Sequence, residues 1–203
     1  MNPLIIIIAV TVGIYFLTER NEELKDKMLF SPYLIKNRGQ YHRLISSIFI
    51  HADLMHLAFN MMSLFFLGEV ILNEFIFSYG IEKGSVIFVV LYLVGGLFAE
   101  LWPYSKHQDN YMYRSLGASG AVSAVIFAAI LWRPDMELMM FLLPIPIPAY
   151  LFGPIYLAIE YYAMKRGQTN IGHDAHIGGA IFGILFVLLL NPSKGTLFIQ
   201  HFF

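Results

Sequence analysis

Long apolar runs, separated by shorter polar stretches, set the character of this chain. Six segments are long enough, or nearly so, to cross a bilayer: about 3–18, 52–72, 85–102, 116–132, 138–163 and 176–191. A spanning helix needs roughly 17–25 largely apolar residues. Backbone groups in lipid must be satisfied within the protein, which leaves helices or closed barrels. Continuous runs of this length are helices, because a barrel would show shorter segments of alternating hydrophobicity. The pattern therefore predicts an all-α, polytopic membrane protein: a six-transmembrane-helix bundle forming one domain over residues 1–203. The uncharged run Asn2 to Thr18 lacks the positive flank and the small-x-small site of a cleaved signal, so it is read as a retained first span. Pro144, Pro146, Pro148 and Pro154 remove helix hydrogen bonds, so the start of the fifth span is expected to be irregular.

Composition supports the same reading. Of 203 residues, 58% are hydrophobic and 13% are charged, against about a quarter charged in soluble domains. The net charge of -1 offers no basic surface for nucleic acid. The absence of cysteine removes thiolate nucleophiles, thiolate metal sites and disulfides. Of the 13 Lys and Arg residues, only Lys83, Arg133 and Lys194 fall in loops on the side of the termini. The other ten lie in the loops between spans 1–2, 3–4 and 5–6, and a charge count alone would put those loops in the cytoplasm.

Ionisable and polar groups inside a membrane are costly, and they mark function by default. Three clusters stand out. His51, His56 and Asn60 open the second span, Gly117-Ala118-Ser119-Gly120 opens the fourth, and His173-Asp174-Ala175-His176 opens the sixth. All three open even-numbered spans, so parity brings them to one face of the membrane. His56 and Asn60 are four residues apart and share a helix face, whereas His51 falls about 140° away on a helix turning 3.6 residues per cycle. Spans four and six also carry small residues at four-residue spacing: Gly120, Ala124 and Ala128 on one, Gly179 and Gly183 on the other. That spacing allows transmembrane helices to approach closely.

A serine becomes a nucleophile when a base takes its proton, and imidazole titrates near neutrality. Ser119 and His176 are the expected pair. Asp174, two residues before His176, points to another side of any helix, so no acid is expected to complete a triad. Carbonyl attack generates an oxyanion that needs fixed donors. The free amides and the dipole at the start of span four suit it, with His56 and Asn60 as further donors. No cofactor or metal is called for. A zinc hydrolase using His173 and His176 is the first rival, but H-E-x-x-H is missing. An aspartyl protease would need carboxylates within the spans. A transporter would need an intramembrane ion path, and Glu69, Glu100 and Glu160 fall near span ends, as interfacial residues do.

These residues resemble the motifs of the rhomboid intramembrane proteases. The family's H-x-x-x-x-H-x-x-x-N is met by His51, His56 and Asn60, its G-x-S-G by Gly117 to Gly120, and its A-H-x-x-G by Ala175 to Gly179. The resemblance runs from about Tyr41 to Gly183. It implies a water-filled cavity holding a Ser119-His176 dyad. It implies an oxyanion and substrate-binding site from His56, Asn60, the Gly117-Ala118 turn and the Ser119 amide. Substrates would be transmembrane proteins cut at or near the bilayer, with no nucleic acid among the partners. A bacterial inner membrane location follows from the compact form, with the cavity facing away from the cytoplasm despite the charge count. The family often has Trp-Arg where this chain has His42-Arg43, leaving Arg43 to anchor the first loop to lipid phosphate. Many members also carry an aromatic residue four positions after the nucleophile, against which the histidine stacks. Here that position is Ser123. Natural substrate and oligomeric state are not encoded in any motif.

Overall fold

A computed structural model describes residues 2–140, 143–167 and 171–203. Numbered in chain order, the helices are α1 (Pro3–Glu19), α2 (Glu22–Met28), α3 (Pro32–Arg38), α4 (Arg43–Ser46), α5 (Leu54–Tyr79), α6 (Ile81–Ala99), α7 (Leu101–His107), α8 (Ser119–Trp132), α9 (Ala149–Arg166), α10 (His173–Leu190) and α11 (Ser193–Ile199). Six of them, α1, α5, α6, α8, α9 and α10, form the expected bundle. Among the described residues, Leu54–Tyr79, Ile81–His107 and His173–Leu190 are long and apolar enough to cross a membrane, while Pro3–Glu19 and Ser119–Trp132 are apolar but shorter.

The boundaries follow local chemistry. Asn2 caps α1 by accepting from the Leu4 amide at 2.9 Å, and Asp53 caps α5 by accepting from the His56 amide at 2.8 Å. Such a cap stabilises a helix by about 1 kcal/mol. The second span is longer than the apolar run implies, continuing to Tyr79.

The fifth span differs from expectation. Its first part is an antiparallel hairpin, β1 (Glu137–Met140) with β2 (Leu143–Pro148), and the helix starts only at Ala149. Residues 141 and 142, inside the predicted span, lie outside the described residues. The physical reason is proline. Pro146 and Pro148 sit in β2 opposite Met139 and Glu137, and a two-stranded ribbon has only edges, where a missing amide is tolerated.

The bundle is built around α8. Twelve of its fourteen residues are buried, from Gly120 to Trp132 with only Ile126 partly exposed, so it needs no polar stripe and shows none. It packs most extensively on α10 and also meets α5 and α6. The small residues of α8 and α10 meet in register. A Cβ on Gly179 would collide with the carbonyl oxygen of Gly120, and one on Gly183 with that of Ala124. Both contacts step by four residues in the same direction, which defines a parallel, close crossing of the predicted kind. Phe75 of α5 and Phe88, Leu91 and Tyr92 of α6 are buried in the core that these helices share with α8 and α1.

The first loop is tied together by Arg43. Its side chain is buried. Nη1 donates to the carbonyls of Asp26 at 2.6 Å and Leu29 at 2.8 Å, and Nε donates to Gln40 at 2.7 Å. His42 Nε2 meets the Lys27 carbonyl at 3.1 Å. Arg43 thus closes the loop on itself instead of reaching for lipid phosphate, because it is buried and two carbonyls at the end of α2, with Gln40, engage its guanidinium.

Candidate active site

Ser119 is the first residue of α8 and His176 lies in the first turn of α10. The close crossing brings the starts of these two helices together. Gly120 faces Gly179, and the Ala175 carbonyl lies 3.5 Å from where a Cβ on Gly120 would stand. Both side chains line one cavity of about 1090 Å³, together with His56, Asn60, Ser123 and Tyr156. Parity and small-residue spacing therefore bring together the residues they were expected to.

The turn into α8 has a strict shape. Gly117 has φ 122°, a conformation that L side chains rarely adopt. Its amide donates to the Ser47 carbonyl at 2.9 Å, and the His56 ring packs on its bare Cα. The next amide, of Ala118, points at His51 Nε2 at 3.5 Å. His51 is fully buried. Burial, and then the neighbouring His56, pulls its imidazole down to about 4, so the neutral ring is the acceptor. The ring also meets His56 edge-on, with centroids 4.9 Å apart. Helical spacing had turned His51 away from this site. It lies instead in the extended segment before α5, where the 3.6-residue rule does not apply.

On α5, Asn60 is buried, and one N–H of its amide donates to the His56 carbonyl at 3.0 Å. The other N–H remains to serve a group in the cavity. The Ser119 amide belongs to the first turn of α8, whose N–H groups have no intrahelical acceptor.

Around His176 the structure departs from a bare pair. Glu160 on α9 is buried. One carboxylate oxygen lies 3.1 Å from His176 Nδ1, and the other accepts from His173 Nδ1. Tyr156, one turn earlier on the same face, brings its hydroxyl to 3.5 Å from His176 Nδ1 and also bonds Ser123. The small side chain at position 123 thus leaves room for a tyrosine supplied by α9. Glu160 and Glu100, expected at the interface, are both buried against protein. Asp174 turns to Lys106 at 3.7 Å, away from His176. Glu160, His173 and His176 are also the described groups that could hold a metal ion, with ligand atoms within 4.8 Å of one another.

A family model of the Rhomboid domain matches residues 38–193. The chain is 31% identical to RHOMBOID-like protein 12, mitochondrial, of Arabidopsis thaliana, over 70% of its own length and 44% of that protein. It is 31% identical to the human presenilin-associated rhomboid-like protein, mitochondrial, over 79% of its length and 38% of that protein. It is 26% identical to the rhomboid protease AarA of Providencia stuartii, over 80% of its length and 61% of that protein. The chain thus spans less than two thirds of each of these relatives.

Proposed function

Since the chain belongs to the rhomboid family, we propose that it is an intramembrane serine endopeptidase that cuts membrane-protein substrates with Ser119 as nucleophile and His176 as base. The observation that carries this reading is the in-register crossing of α8 on α10, which sets the two residues at neighbouring helix starts in one cavity. A serine and an imidazole sharing one cavity, with the open amides of a helix start, are suited to acyl transfer.

The chemistry runs in two halves. Ser119 Oγ bonds to the scissile carbonyl carbon, its proton passes to His176 Nε2, and the carbonyl electron pair moves onto oxygen. The Ser119 amide, the free N–H of Asn60 and the His56 ring are the donors placed to hold that oxyanion; the Gly117-Ala118 turn keeps them in place. Collapse breaks the C–N bond, and the leaving amine takes the proton from His176. Water then repeats the sequence on the acyl ester and releases Ser119. Each oxyanion donor removed costs about 2.7–4 kcal/mol in comparable sites.

The apolar helices make this an integral membrane protein. We place it in a bacterial inner membrane, acting on transmembrane substrates from the bilayer. The relatives it resembles include a rhomboid protease of Providencia stuartii as well as mitochondrial rhomboid-like proteins. The test is labelling by a fluorophosphonate probe in detergent, alongside cleavage of a single-span model substrate. Label should fall on Ser119 and resist chelator, and Ser119→Ala and His176→Ala should each abolish cleavage while the protein stays folded. Full activity in either variant sinks the reading. Cleavage lost to chelator would favour a metal hydrolase.

A further inference from the structure

The Ser-His pair is held from behind by a group on a third helix. We infer that Glu160 is a positioning residue for catalysis, the acceptor that sets the tautomer of His176 and steadies the imidazolium formed during attack. The inference rests on the serine-protease reading above and deepens it.

The geometry is a fork. A carboxylate accepts and cannot donate, so a contact at 3.1 Å with His176 Nδ1 requires the proton on Nδ1. That leaves Nε2 with its lone pair, the nitrogen a base must offer to Ser119. The second oxygen of Glu160 is engaged by His173 Nδ1, so the carboxylate is fixed at both ends and cannot rotate away. His173 and His176 are three apart on α10, on one face. The serine, the base and the carboxylate thus come from three different helices, α8, α10 and α9.

Cost argues for a purpose. A buried carboxylate loses several kcal/mol of hydration unless its lone pairs are filled, and here two imidazoles and the neighbouring Tyr156 hydroxyl surround it. A carboxylate needed only to join α9 to α10 could be replaced by packed apolar residues at no loss. One that faces a base whose charge appears during the reaction lowers the barrier, because its charge is in place before the imidazolium forms. Glu160 neither gains nor loses a proton in the cycle. The 3.1 Å contact between Glu160 and His176 lies within hydrogen-bond range.

The experiment uses the full chain in detergent with a single-span substrate, and compares Glu160→Gln, Glu160→Ala and Ser119→Ala. The carboxamide of Glu160→Gln keeps the volume, but it can donate to Nδ1 and so favour the wrong tautomer. Both Glu160 variants should lose roughly 10²- to 10⁴-fold in kcat with KM unchanged, by analogy with the loss of the orienting acid in serine proteases. In ¹⁵N-histidine spectra, the downfield Nδ1–H proton of His176 should be present in the parent chain and lost in Glu160→Gln. Unchanged kcat in Glu160→Gln, folded and with Ser119→Ala inactive, overturns the role of Glu160 alone. So would equal losses in kcat and thermal stability, or activity restored by added Zn²⁺. Activity surviving in Ser119→Ala would bring down the protease reading instead.

Discussion

The His56 ring rests on the bare Cα of Gly117: a Cβ there would stand 2.7 Å from Cε1 and 2.9 Å from Nε2. This contact ties α5 to the turn that presents Ser119, and it leaves no room for any side chain. Gly117→Ala meets two penalties at once, a positive φ and a displaced imidazole. The strained backbone alone costs about 1–3 kcal/mol. Fluorophosphonate labelling of Ser119 should slow by on the order of 10²-fold, as expected for misplacement of about an ångström. Labelling at the parent rate would show that the His56–Gly117 contact does not position the site.

The α8–α10 crossing predicts a sharp contrast between two glycines. A Cβ on Gly179 meets the Gly120 carbonyl, whereas one on Gly13 in α1 meets nothing within 4 Å. Gly179→Ala should destabilise by about 3 kcal/mol, at the upper end of overpacking effects, and should abolish cleavage. Gly13→Ala should leave both properties near the parent. Thermal unfolding in detergent separates the two; similar melting points would contradict the crossing.

His51 touches no substrate in this reading, yet it carries the Ala118 amide. His51→Phe keeps a ring of similar volume and orphans that buried donor, at a cost of about 1–3 kcal/mol. A fall in kcat of about tenfold with little change in KM is expected from steady-state cleavage. Retention of parent kcat would reduce His51 to a packing residue.

Arg43 offers a test of the first loop. Lysine keeps the charge but cannot reach two carbonyls and a glutamine at once. Arg43→Lys should lose about 2 kcal/mol, since hydrogen bonds from charged groups contribute about 1.5–3 kcal/mol each and lysine retains part of them. Limited proteolysis should become faster between Glu22 and Arg38. Unaltered proteolysis would mean the loop is held by something else.

On the opposite face, hydrogen bonds from the Arg133 guanidinium hold the Asp135 carboxyl below its ordinary value. A depressed carboxylate contributes stability above its unfolded value, near 3.9, and loses it as pH falls through the folded one. Asp135 is 59% exposed, so the contribution is a few tenths of a kcal/mol at most. Asp135→Asn should melt slightly below the parent at pH 7, and the gap should close by about pH 3. A gap that widens in acid would reverse the sign of the argument.

Much of the site was legible because it obeys counting rules. Even-span parity placed Ser119, His176, His56 and Asn60 together, and four-residue spacing gave the helix crossing. Glu160 was missed although the same parity covers it. The end of an odd span and the start of the next even one share a face, and Tyr156 and Glu160 share a helix side. Reading the fifth span from 138 hid this, because the hairpin postpones its helix to Ala149, which puts Glu160 inside the helix and buried instead of at its end. Position 123 was legible only as a missing aromatic, since nothing in sequence says which helix supplies a replacement. His51 was lost to a helical rule applied outside a helix. Arg43 was assigned to lipid because its acceptors are backbone carbonyls, which carry no sequence signal.

The modest length of α8 has its own consequence. Fourteen residues rise about 21 Å at 1.5 Å per residue, against about 30 Å of hydrocarbon. If its far end near Trp132 reaches the lipid boundary, its first residue stops roughly 9 Å short of the other side. Ser119, the proposed nucleophile, then stands at the floor of a well sunk into the bilayer. The proposed hydrolysis there would depend on protein walls that admit water from one side and exclude lipid from the others.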